Sequence, residues 1–320
     1  MTGITVYGAG AFGTALAISL ARAGRDVSLV ARTREAAEKI NAMRENASRL
    51  PGATLPENLR VTADPKTVDP VCLLAVPTQK LAAFVDEHSA ALADRHLVAC
   101  CKGVEILTGK GPTGIIADHC PGAHTAILSG PSFAIDIAAG LPTALTIAAQ
   151  DETAVTMLQK ELSTATLRLY RSTDVCGVEL GGALKNIIAI AAGVTIGTGL
   201  GESARAALMT RGYAEMLRFA AAYGAQPETL SGLSGFGDLV LTCTSDKSRN
   251  FSFGQSLGQR SDAVQTATVE GRSTAIAVAA LAENQGIDMP LTRVVAALVE
   301  QKLSVSEAVK LLMSRPLKAE

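Results

Sequence analysis

Three closely spaced glycines follow an apolar run near the start of the chain and constrain the fold more than any other feature. The run Ile4–Tyr7 predicts a short buried strand, and the glycine-rich stretch Gly8–Gly13 (GAGAFG) leads into a predicted helix that ends at Ala23. A second apolar run, Asp26–Ala31, predicts a strand beside the first. In such a βαβ unit, glycines let the backbone approach a pyrophosphate at the helix N-terminus. The spacing therefore predicts a dinucleotide site that includes Gly8, Gly10 and Gly13.

The residues after the second predicted strand bear on which dinucleotide is bound. Folds that bind NAD commonly have an acidic residue there, and this sequence has Arg32, Thr33 and Arg34 instead. A guanidinium group can pair with the 2′-phosphate of NADP, and no acidic charge repels that phosphate. We expect NADP(H) to be accepted. The alternative is that one of these arginines, Arg34 above all, is a solvated loop residue.

Strand patterns alternate with helical patterns over the first half of the chain. Helices such as Lys80–Leu92 and Thr153–Leu162 separate several of the apolar runs, which favours a mostly parallel, doubly wound sheet of the Rossmann type. The further predicted strands are Leu59–Thr62, Val71–Val76, His96–Cys101, Thr125–Leu128, Ala144–Ala148 and Leu167–Ser172.

After Ser172 the pattern becomes almost continuously helical as far as Met313. We therefore expect an α/β dinucleotide-binding domain over residues 1–174 and an all-α domain for substrate and catalysis over residues 175–320. The last predicted helix opens with a Ser-x-x-Glu capping box at Ser304 and Glu307. The predicted helices are Val178–Thr195, Ala204–Tyr223, Thr274–Gln285, Leu291–Gln301 and Ser304–Ser314.

Composition excludes several classes of partner. The chain has 320 residues with 29 basic and 30 acidic side chains, so its net charge supplies no general attraction to nucleic acid or to an anionic membrane. The longest apolar run, Ile187–Ile196, is about half of the ~20 residues that span a bilayer, and no secretion signal precedes the first strand. The partners expected are small molecules. We expect no metal, because the cysteines and histidines lack ligand spacing. Most of the six cysteines lie in apolar runs, which predicts buried free thiols in a reducing cytosol. The cysteines are Cys72, Cys100, Cys101, Cys120, Cys176 and Cys243.

One lysine stands in an otherwise small and apolar helix, Val178–Thr195 (VELGGALKNIIAIAAGVT). One helical turn from Lys185 lie Gly181 and Gly182, so a ligand could approach closely. A lysine in dry surroundings tends to have a lowered pKa, which suits proton transfer near neutral pH. The alternative is that the glycines serve helix packing while Lys185 extends to solvent.

Other polar residues follow the predicted strands at the edge where doubly wound sheets bind ligands. Lys102 is a plausible substrate contact at the end of one strand. After the next, Gly130 permits close backbone approach and Ser132 offers a hydroxyl. For Ser132, capping of the following helix is the better interpretation on the sequence alone.

A second polar cluster lies in the helical half. Asp238 stands in apolar surroundings, where it could orient a lysine ammonium. Ser248, Arg249 and Asn250 together offer a hydroxyl, a bidentate cation and an amide, which suits a phosphate monoester. The alternative is an ordinary polar loop in which Asp238 caps a helix.

A series of motifs is spread in chain order over roughly the first 275 residues. The motifs are GAGAFGTALA, RENASRLPGATLPENLRVTAD, AVP, CKGVE, LSGPSFA, VELGGALKNIIAIAAG, GDLVLTCTSDKSRN and VEG. Together they resemble the bacterial NAD(P)-dependent glycerol-3-phosphate dehydrogenase family, and the series is more specific than any one motif.

The resemblance implies the reversible reduction of dihydroxyacetone phosphate to sn-glycerol 3-phosphate, a phospholipid precursor, by a cytoplasmic homodimer that uses NADP or NAD. It makes Lys185 the proton donor or acceptor. The substrate positions that it implies are Lys102, Gly130, Ser132, Lys185, Asn186, Asp238, Thr242, Ser248, Arg249 and Asn250. The cofactor positions, besides the three glycines, are Ala11, Phe12, Arg32, Lys102, Ala134, Arg249, Thr268 and Glu270.

The sequence departs from the family pattern at three places. Phe12 stands where the family usually has Trp or Tyr. The segment between Arg249 and Thr268 is short, which weakens the placement of Thr268 and Glu270. A Cys100-Cys101 pair precedes Lys102 with no consequence that we can derive.

Two competing hypotheses remain open at this point. The first is a related two-domain dehydrogenase that acts on a hydroxy acid, such as 6-phosphogluconate or a 3-hydroxy acid. The second is a non-catalytic protein that binds NAD(P)H and reports the redox state to a partner. The cluster from Asp238 to Asn250 argues against both.

Overall fold

The computed structural model describes residues 3–64, 68–259 and 269–313. The chain divides into two compact units. The first unit runs to Lys102 and resumes over Lys110–Glu179. The second comprises the short segment Gly103–Gly109 and the chain from Leu180 onward.

The first unit contains one sheet of eight strands in the order β3-β2-β1-β4-β5-β6-β7-β8. All neighbouring pairs are parallel except β6 and β7, which are antiparallel. The predicted mostly parallel sheet of the Rossmann type is therefore confirmed. The strands are β1 Ile4–Tyr7, β2 Val27–Val30, β3 Leu59–Thr62, β4 Val71–Leu74, β5 His96–Ala99, β6 His124–Ser129, β7 Thr143–Ala148 and β8 Leu167–Ser172.

Helices separate most of the strands of this sheet. Every residue of β1 and β4 is buried, as expected of central parallel strands that helices cover on both faces. The helices up to the last strand are α1 Ala11–Arg22, α2 Arg34–Met43, α3 Thr78–Leu92, α4 Pro112–His119, α5 Ala134–Ala138 and α6 Glu152–Leu162.

The described residues of the second unit form helices joined by loops, which confirms the all-α fold predicted for the second half of the chain. Its longest helix, α7, begins before the boundary between the units and supplies the core from Ala183 to Val194. The helices are α7 Val175–Gly197, α8 Gly201–Ala222, α9 Pro227–Ser231, a π-helix Leu233–Gly237, α10 Asp238–Cys243, α11 Arg249–Gly258, α12 Glu270–Asn284, α13 Pro290–Val299 and α14 Val305–Met313.

The π-helix and helices α10 and α11 were missed by the sequence patterns. Their sequence, LSGFG followed by DLVLTC and RNFSFGQSLG, is rich in glycine and polar residues, so no apolar stripe marks them. The polar cluster, for which an ordinary loop was the alternative interpretation, therefore lies mostly on helices. Residues four apart in α10, such as Asp238 and Thr242, consequently lie on the same face of a helix.

Backbone contacts between helices α7 and α11 depend on glycine. A methyl group on Gly193 of α7 would overlap the carbonyl oxygen of Phe251, and one on Gly254 of α11 would overlap the carbonyl oxygen of Ile190. The two backbones therefore touch where these glycines lie. The contact places the N-terminus of α11 near the middle of α7.

Side-chain carboxylates cap two helices near the end of the chain. The predicted capping box is confirmed, since Glu307 accepts a hydrogen bond from Ser304 N at 2.8 Å and Ser304 Oγ accepts one from Glu307 N at 3.3 Å. Glu215, a buried residue of α8, accepts from Leu291 N at 2.6 Å and Thr292 N at 3.0 Å at the start of α13. Both contacts satisfy N–H groups that a helix leaves unpaired.

Helix α7 is the one described helix whose length and composition would suit a membrane span. In this fold, 89% of its most apolar 18-residue stretch is buried inside the protein. Such burial agrees with its interpretation as a core helix.

We predict that Gly254→Ala destabilises the protein, because the new methyl group would force α11 away from α7. Overpacking of this kind costs about 1–3 kcal/mol, and the measurement is the unfolding midpoint in urea. The matched control is Gly114→Ala in α4, where a methyl group would meet Lys110 Cβ at an ordinary 3.6 Å. Equal midpoints for the two variants would contradict the backbone contact.

Candidate functional site

Lys185 lies beside a carboxylate in the interior of the second unit. Its Nζ donates hydrogen bonds to Asp238 Oδ1 at 3.0 Å and to Thr242 Oγ1 at 2.6 Å. Lys185 is 7% exposed and Asp238 is 1% exposed. The Thr242 hydroxyl in turn contacts Asp238 Oδ1 at 3.2 Å. A buried ammonium is thus held by an ion pair and a hydroxyl in one fixed position.

The π-helix places Asp238 opposite Lys185. It ends at Gly237, so Asp238 begins α10 and Thr242 follows one turn later on the same face. One turn before Lys185, a methyl group on Gly181 would lie 2.8 Å from the carbonyl oxygen of Ser234 in the π-helix. The missing side chain at Gly181 therefore lets α7 approach the segment that carries the carboxylate.

Both sequence-based alternatives for these residues need correction. Lys185 does not extend to solvent, although Gly181 does serve helix packing as that alternative held. Asp238 does not cap α10, because the residue before that helix is Gly237, and its Oδ1 is occupied by Lys185 and Thr242.

Asn186 and Asn250 form a second group in the same unit. Asn250 Nδ2 donates to Asn186 Oδ1 at 2.9 Å, and Asn250 Oδ1 accepts from Gly271 N at 2.9 Å. Asn186 is buried and Asn250 is half-buried. Helices α7, α11 and α12 therefore meet at the Asn250 amide.

Ser248 and Arg249 flank this group at the start of α11. The hydroxyl of Ser248 caps the helix by accepting from Phe251 N at 3.3 Å. Arg249 is exposed, and among the described residues its guanidinium has no hydrogen-bond or ion-pair partner. A helix N-terminus with an available guanidinium suits an anion.

The glycine turn of the first unit has the geometry of a phosphate loop. Gly8 adopts φ +104°, and a methyl group there would lie 2.5 Å from the Ala75 carbonyl oxygen. One on Gly13 would overlap the Gly8 carbonyl oxygen, whereas one on Gly10 would meet nothing within 4 Å. Gly8 and Gly13 thus close the turn, and Gly10 leaves open space before α1. Ala11 and Phe12, the first residues of α1, are half-buried.

Sequence reasoning missed the side chain that holds this turn in place. Asn46 is buried, and its Nδ2 donates to the Ala9 carbonyl oxygen at 3.0 Å and to Thr14 Oγ1 at 2.9 Å. It lies within the motif RENASRLPG, which the resemblance included without assigning a role. Asn46 stands among polar residues, so its place in that motif was the available signal.

The two arginines after β2 have different surroundings. Arg32 is exposed, and no described residue pairs with its guanidinium. Arg34 begins α2 and pairs with exposed Glu38 at 3.6 Å, while Thr33 caps that helix by accepting from Ala36 N. Arg34 thus fits the solvated alternative, and Arg32 is the arginine available to a phosphate.

Three predicted substrate residues of the first unit lie together. Lys102 Nζ donates to the Gly130 carbonyl oxygen at 2.9 Å, and Ser132 Oγ donates to the same oxygen at 3.3 Å. Gly130 has φ +138°, which favours glycine. The preferred interpretation of Ser132 as a helix cap is wrong, because α5 begins at Ala134 after Phe133 and no side chain caps it.

The remaining predicted cofactor residues lie at the start of α12. Glu270 is its first residue and is half-buried. Thr268 lies outside the described residues. Gly271, which belongs to the VEG motif but was given no role of its own, donates its N–H to Asn250 Oδ1.

The buried cysteines near these groups are poor nucleophiles. Burial raises the pKa of the Cys243 thiol to about 12, and it raises that of Cys100 to about 12 as well. Both thiols therefore stay protonated at neutral pH. All six cysteines are free, and among the described residues no three histidine, cysteine or acidic side chains are grouped as a metal site.

A glycine turn that leaves space for a pyrophosphate, in a chain that also buries a lysine beside a carboxylate, is characteristic of two-domain dinucleotide-dependent dehydrogenases. Comparison with known families narrows this class. The family model described as the NAD-dependent glycerol-3-phosphate dehydrogenase N-terminus matches residues 3–155, and that of the C-terminus matches residues 174–310. The chain belongs to this family.

Relatives of nearly equal length agree. The chain is 58% identical over 318 residues to a glycerol-3-phosphate dehydrogenase [NAD(P)+] of Cereibacter sphaeroides, covering 99% of this chain and 100% of that one. It is 57% identical to one of Paracoccus denitrificans, with 99% of each chain covered. The crystal structure of a glycerol-3-phosphate dehydrogenase from Coxiella burnetii matches with a TM-score of 0.92 at 35% identity, over 98% of this chain and 99% of that one.

These findings confirm the resemblance drawn from the motifs. They also confirm the predicted enzyme class, an NAD(P)-dependent glycerol-3-phosphate dehydrogenase, with NAD or NADP as its cofactor. The non-catalytic sensor is thereby disfavoured. The roles of the individual site residues stay predictions.

We predict that Asn46→Ala weakens NADPH binding more than it weakens ketone binding. The variant leaves the Ala9 carbonyl oxygen and the Thr14 hydroxyl without their donor, at a cost of about 1–3 kcal/mol, and loosens the turn that receives the pyrophosphate. Fluorescence titration with NADPH measures the effect. Asn41→Ala is the control, since it removes a similar bond to the Val61 carbonyl oxygen. Unchanged NADPH affinity in Asn46→Ala would contradict the assigned role.

Proposed function

We propose that this protein catalyses the reversible reduction of dihydroxyacetone phosphate to sn-glycerol 3-phosphate with NADPH or NADH. The names of its relatives support the substrate. The observation that carries the chemistry is Lys185 Nζ, buried at 3.0 Å from Asp238 Oδ1 and 2.6 Å from Thr242 Oγ1.

Lys185 is the proposed general acid of the reduction. When a ketone carbon accepts a hydride, its oxygen becomes an alkoxide that needs a proton. An ammonium held in position can supply that proton, and general acids contribute roughly 10²- to 10⁴-fold to a rate. Asp238 stabilises the charged form of Lys185 through the ion pair, and Thr242 fixes the direction of its Nζ. In the reverse reaction the neutral amine takes the proton from the alcohol.

The dinucleotide, when bound, supplies the hydride. In our proposal the open space at Gly10 and the N-terminus of α1 receive its pyrophosphate, with Gly8 and Gly13 shaping the turn. Arg32 would pair with the 2′-phosphate of NADP. The proposed cofactor contacts also include Ala11, Phe12, Lys102, Ala134, Arg249, Thr268 and Glu270.

The phosphate of the substrate is proposed to bind at the start of α11. Arg249 has an exposed guanidinium there, Ser248 a hydroxyl and Asn250 an amide. Because the phosphate does not react, its binding energy can position the carbonyl for the reaction. Lys102, Gly130, Ser132 and Asn186 are proposed as further substrate contacts.

The wider assignments rest on the family. We infer a cytoplasmic enzyme that supplies glycerophospholipid synthesis, that acts as a homodimer and that divides its work between a dinucleotide-binding domain, residues 1–174, and a catalytic domain, residues 175–320. Six free cysteines support a reducing compartment. The alternative is that the substrate is a hydroxy acid. Higher activity on such an acid than on dihydroxyacetone phosphate would favour that alternative.

We predict that Lys185→Ala lowers turnover 100-fold or more, on the order expected for loss of a general acid, while NADPH still binds. Loss of NADPH absorbance on adding dihydroxyacetone phosphate gives turnover, and fluorescence titration gives binding. The control is Lys160→Ala, which replaces an exposed lysine of α6. A wild type that binds NADPH but leaves the ketone unchanged would refute the substrate assignment.

We predict that Arg32→Asp lowers the ratio of NADPH use to NADH use by about tenfold or more, since an ion pair with the 2′-phosphate becomes a repulsion. The ratio of kcat/KM for the two cofactors measures this. Arg34→Asp should change it less, because Arg34 already pairs with Glu38. An unchanged ratio in Arg32→Asp would remove Arg32 from the cofactor site.

A further inference from the structure

Hydrogen bonding around Asn250 has a fixed direction. The backbone N–H of Gly271 can only donate, so the Asn250 side-chain atom at 2.9 Å from it must be the oxygen. The NH₂ group of Asn250 then faces Asn186, and the Asn186 atom at 2.9 Å must likewise be an oxygen. One backbone N–H thus sets the orientation of two amides in succession.

In this arrangement the oxygen of the Asn186 side chain is the atom that binds Asn250, and its NH₂ group takes no part in the hydrogen bonds between the two amides. Asn186 is 4% exposed, and among the residues that the structure describes its Nδ2 has no hydrogen-bond partner. Because Asn186 Nδ2 is not fully enclosed, a ligand oxygen could reach it and accept its hydrogen bond. Its partner Asn250 lies at the start of α11, so this donor lies beside the phosphate position that we propose there.

Gly271 can hold this position only because it lacks a side chain. A methyl group there would lie 2.7 Å from Asn250 Oδ1 and 2.7 Å from the Asn186 carbonyl oxygen. Any larger residue would therefore displace the oxygen that accepts from its own N–H. The start of α12 is consequently coupled to the orientation of Asn186.

We propose that Gly271 is a positioning residue that acts through Asn250 to present the NH₂ group of Asn186 to the substrate. The site then takes a ligand with a hydrogen-bond acceptor at that point, such as a phosphoryl or carbonyl oxygen, and discriminates against one with a donor there. This inference rests on the proposed function for the identity of the ligand.

The test uses Asn250→Asp, which keeps the size of the side chain. One carboxylate oxygen still accepts from Gly271 N, but the other now faces Asn186 with no hydrogen to donate. Asn186 must turn its NH₂ group toward that oxygen and present its carbonyl oxygen to the ligand. We expect affinity for sn-glycerol 3-phosphate, measured by calorimetry, to fall tenfold or more while NADPH affinity stays within twofold.

Two further variants separate positioning from general damage. Gly271→Ala should lower affinity for sn-glycerol 3-phosphate more in the wild-type background than in an Asn250→Ala background. The loss that remains without Asn250 reports the contact of the methyl group with the Asn186 carbonyl oxygen, and the difference reports the action through Asn250. Asn58→Asp is the matched control, since it removes an NH₂ donor to the Ala21 carbonyl oxygen in the first unit. It should lower the unfolding temperature without changing affinity for sn-glycerol 3-phosphate.

The outcomes separate this inference from the proposed function. If wild type binds and oxidises sn-glycerol 3-phosphate and Asn250→Asp binds it equally well, the inference fails and the function stands. If wild type binds it without turnover, and Gly271→Ala weakens binding more when Asn250 is present than when it is replaced by Ala, the function fails and the inference stands. A wild type that does not bind it overturns both.

Discussion

The buried ion pair of Lys185 and Asp238 is the interaction on which the second unit depends. Moving a single charge into an apolar interior costs several kcal/mol, and removing one partner of a buried pair costs about 3–5 kcal/mol. Replacing such a pair with apolar residues is often neutral or stabilising, so stability does not explain its presence. The proton transfer that we propose for Lys185 would explain it, and the packing of α7 against the π-helix and α10 keeps Lys185 Nζ at 3.0 Å from the carboxylate.

Glycine is what allows this packing. Gly181 brings α7 against the π-helix, and Gly193 and Gly254 bring α7 against α11. These contacts replace side-chain interdigitation with backbone contact, so helices that carry the polar residues approach α7 more closely than leucine or valine would permit. Packing and ligand approach were alternatives for the glycines around Lys185. In the structure, packing at Gly181 is what positions the lysine.

Local sequence patterns predicted the features that neighbouring residues determine, namely strand bounds and helix caps. β1, β3 and β8 begin and end where the apolar runs do, and the capping box at Ser304 involves residues three apart. Contacts between distant residues were out of reach. Asn46 reaches Ala9 across 37 positions and Gly271 reaches Asn250 across 21, and neither has a periodicity. Ser132 was misinterpreted for a local reason: α5 begins at Ala134, one residue too late for Ser132 to be its N-cap, and the hydroxyl instead donates to the Gly130 carbonyl oxygen two residues earlier.

Helix N-termini in the first unit show where an anionic ligand is expected. Helices α2 and α6 have a side-chain cap and an acidic residue in the first turn, and Glu179 accepts from Thr113 N at the start of α4. Helices α1 and α3 have neither a side-chain cap nor an acidic residue in the first turn. They follow β1 and β4, the neighbouring strands at which the strand order reverses. Ligands bind doubly wound sheets at such a reversal. The N-termini of α1 and α3, which have no acidic side chain to interact with their helix dipoles, are therefore the ones placed to bind the pyrophosphate of a dinucleotide.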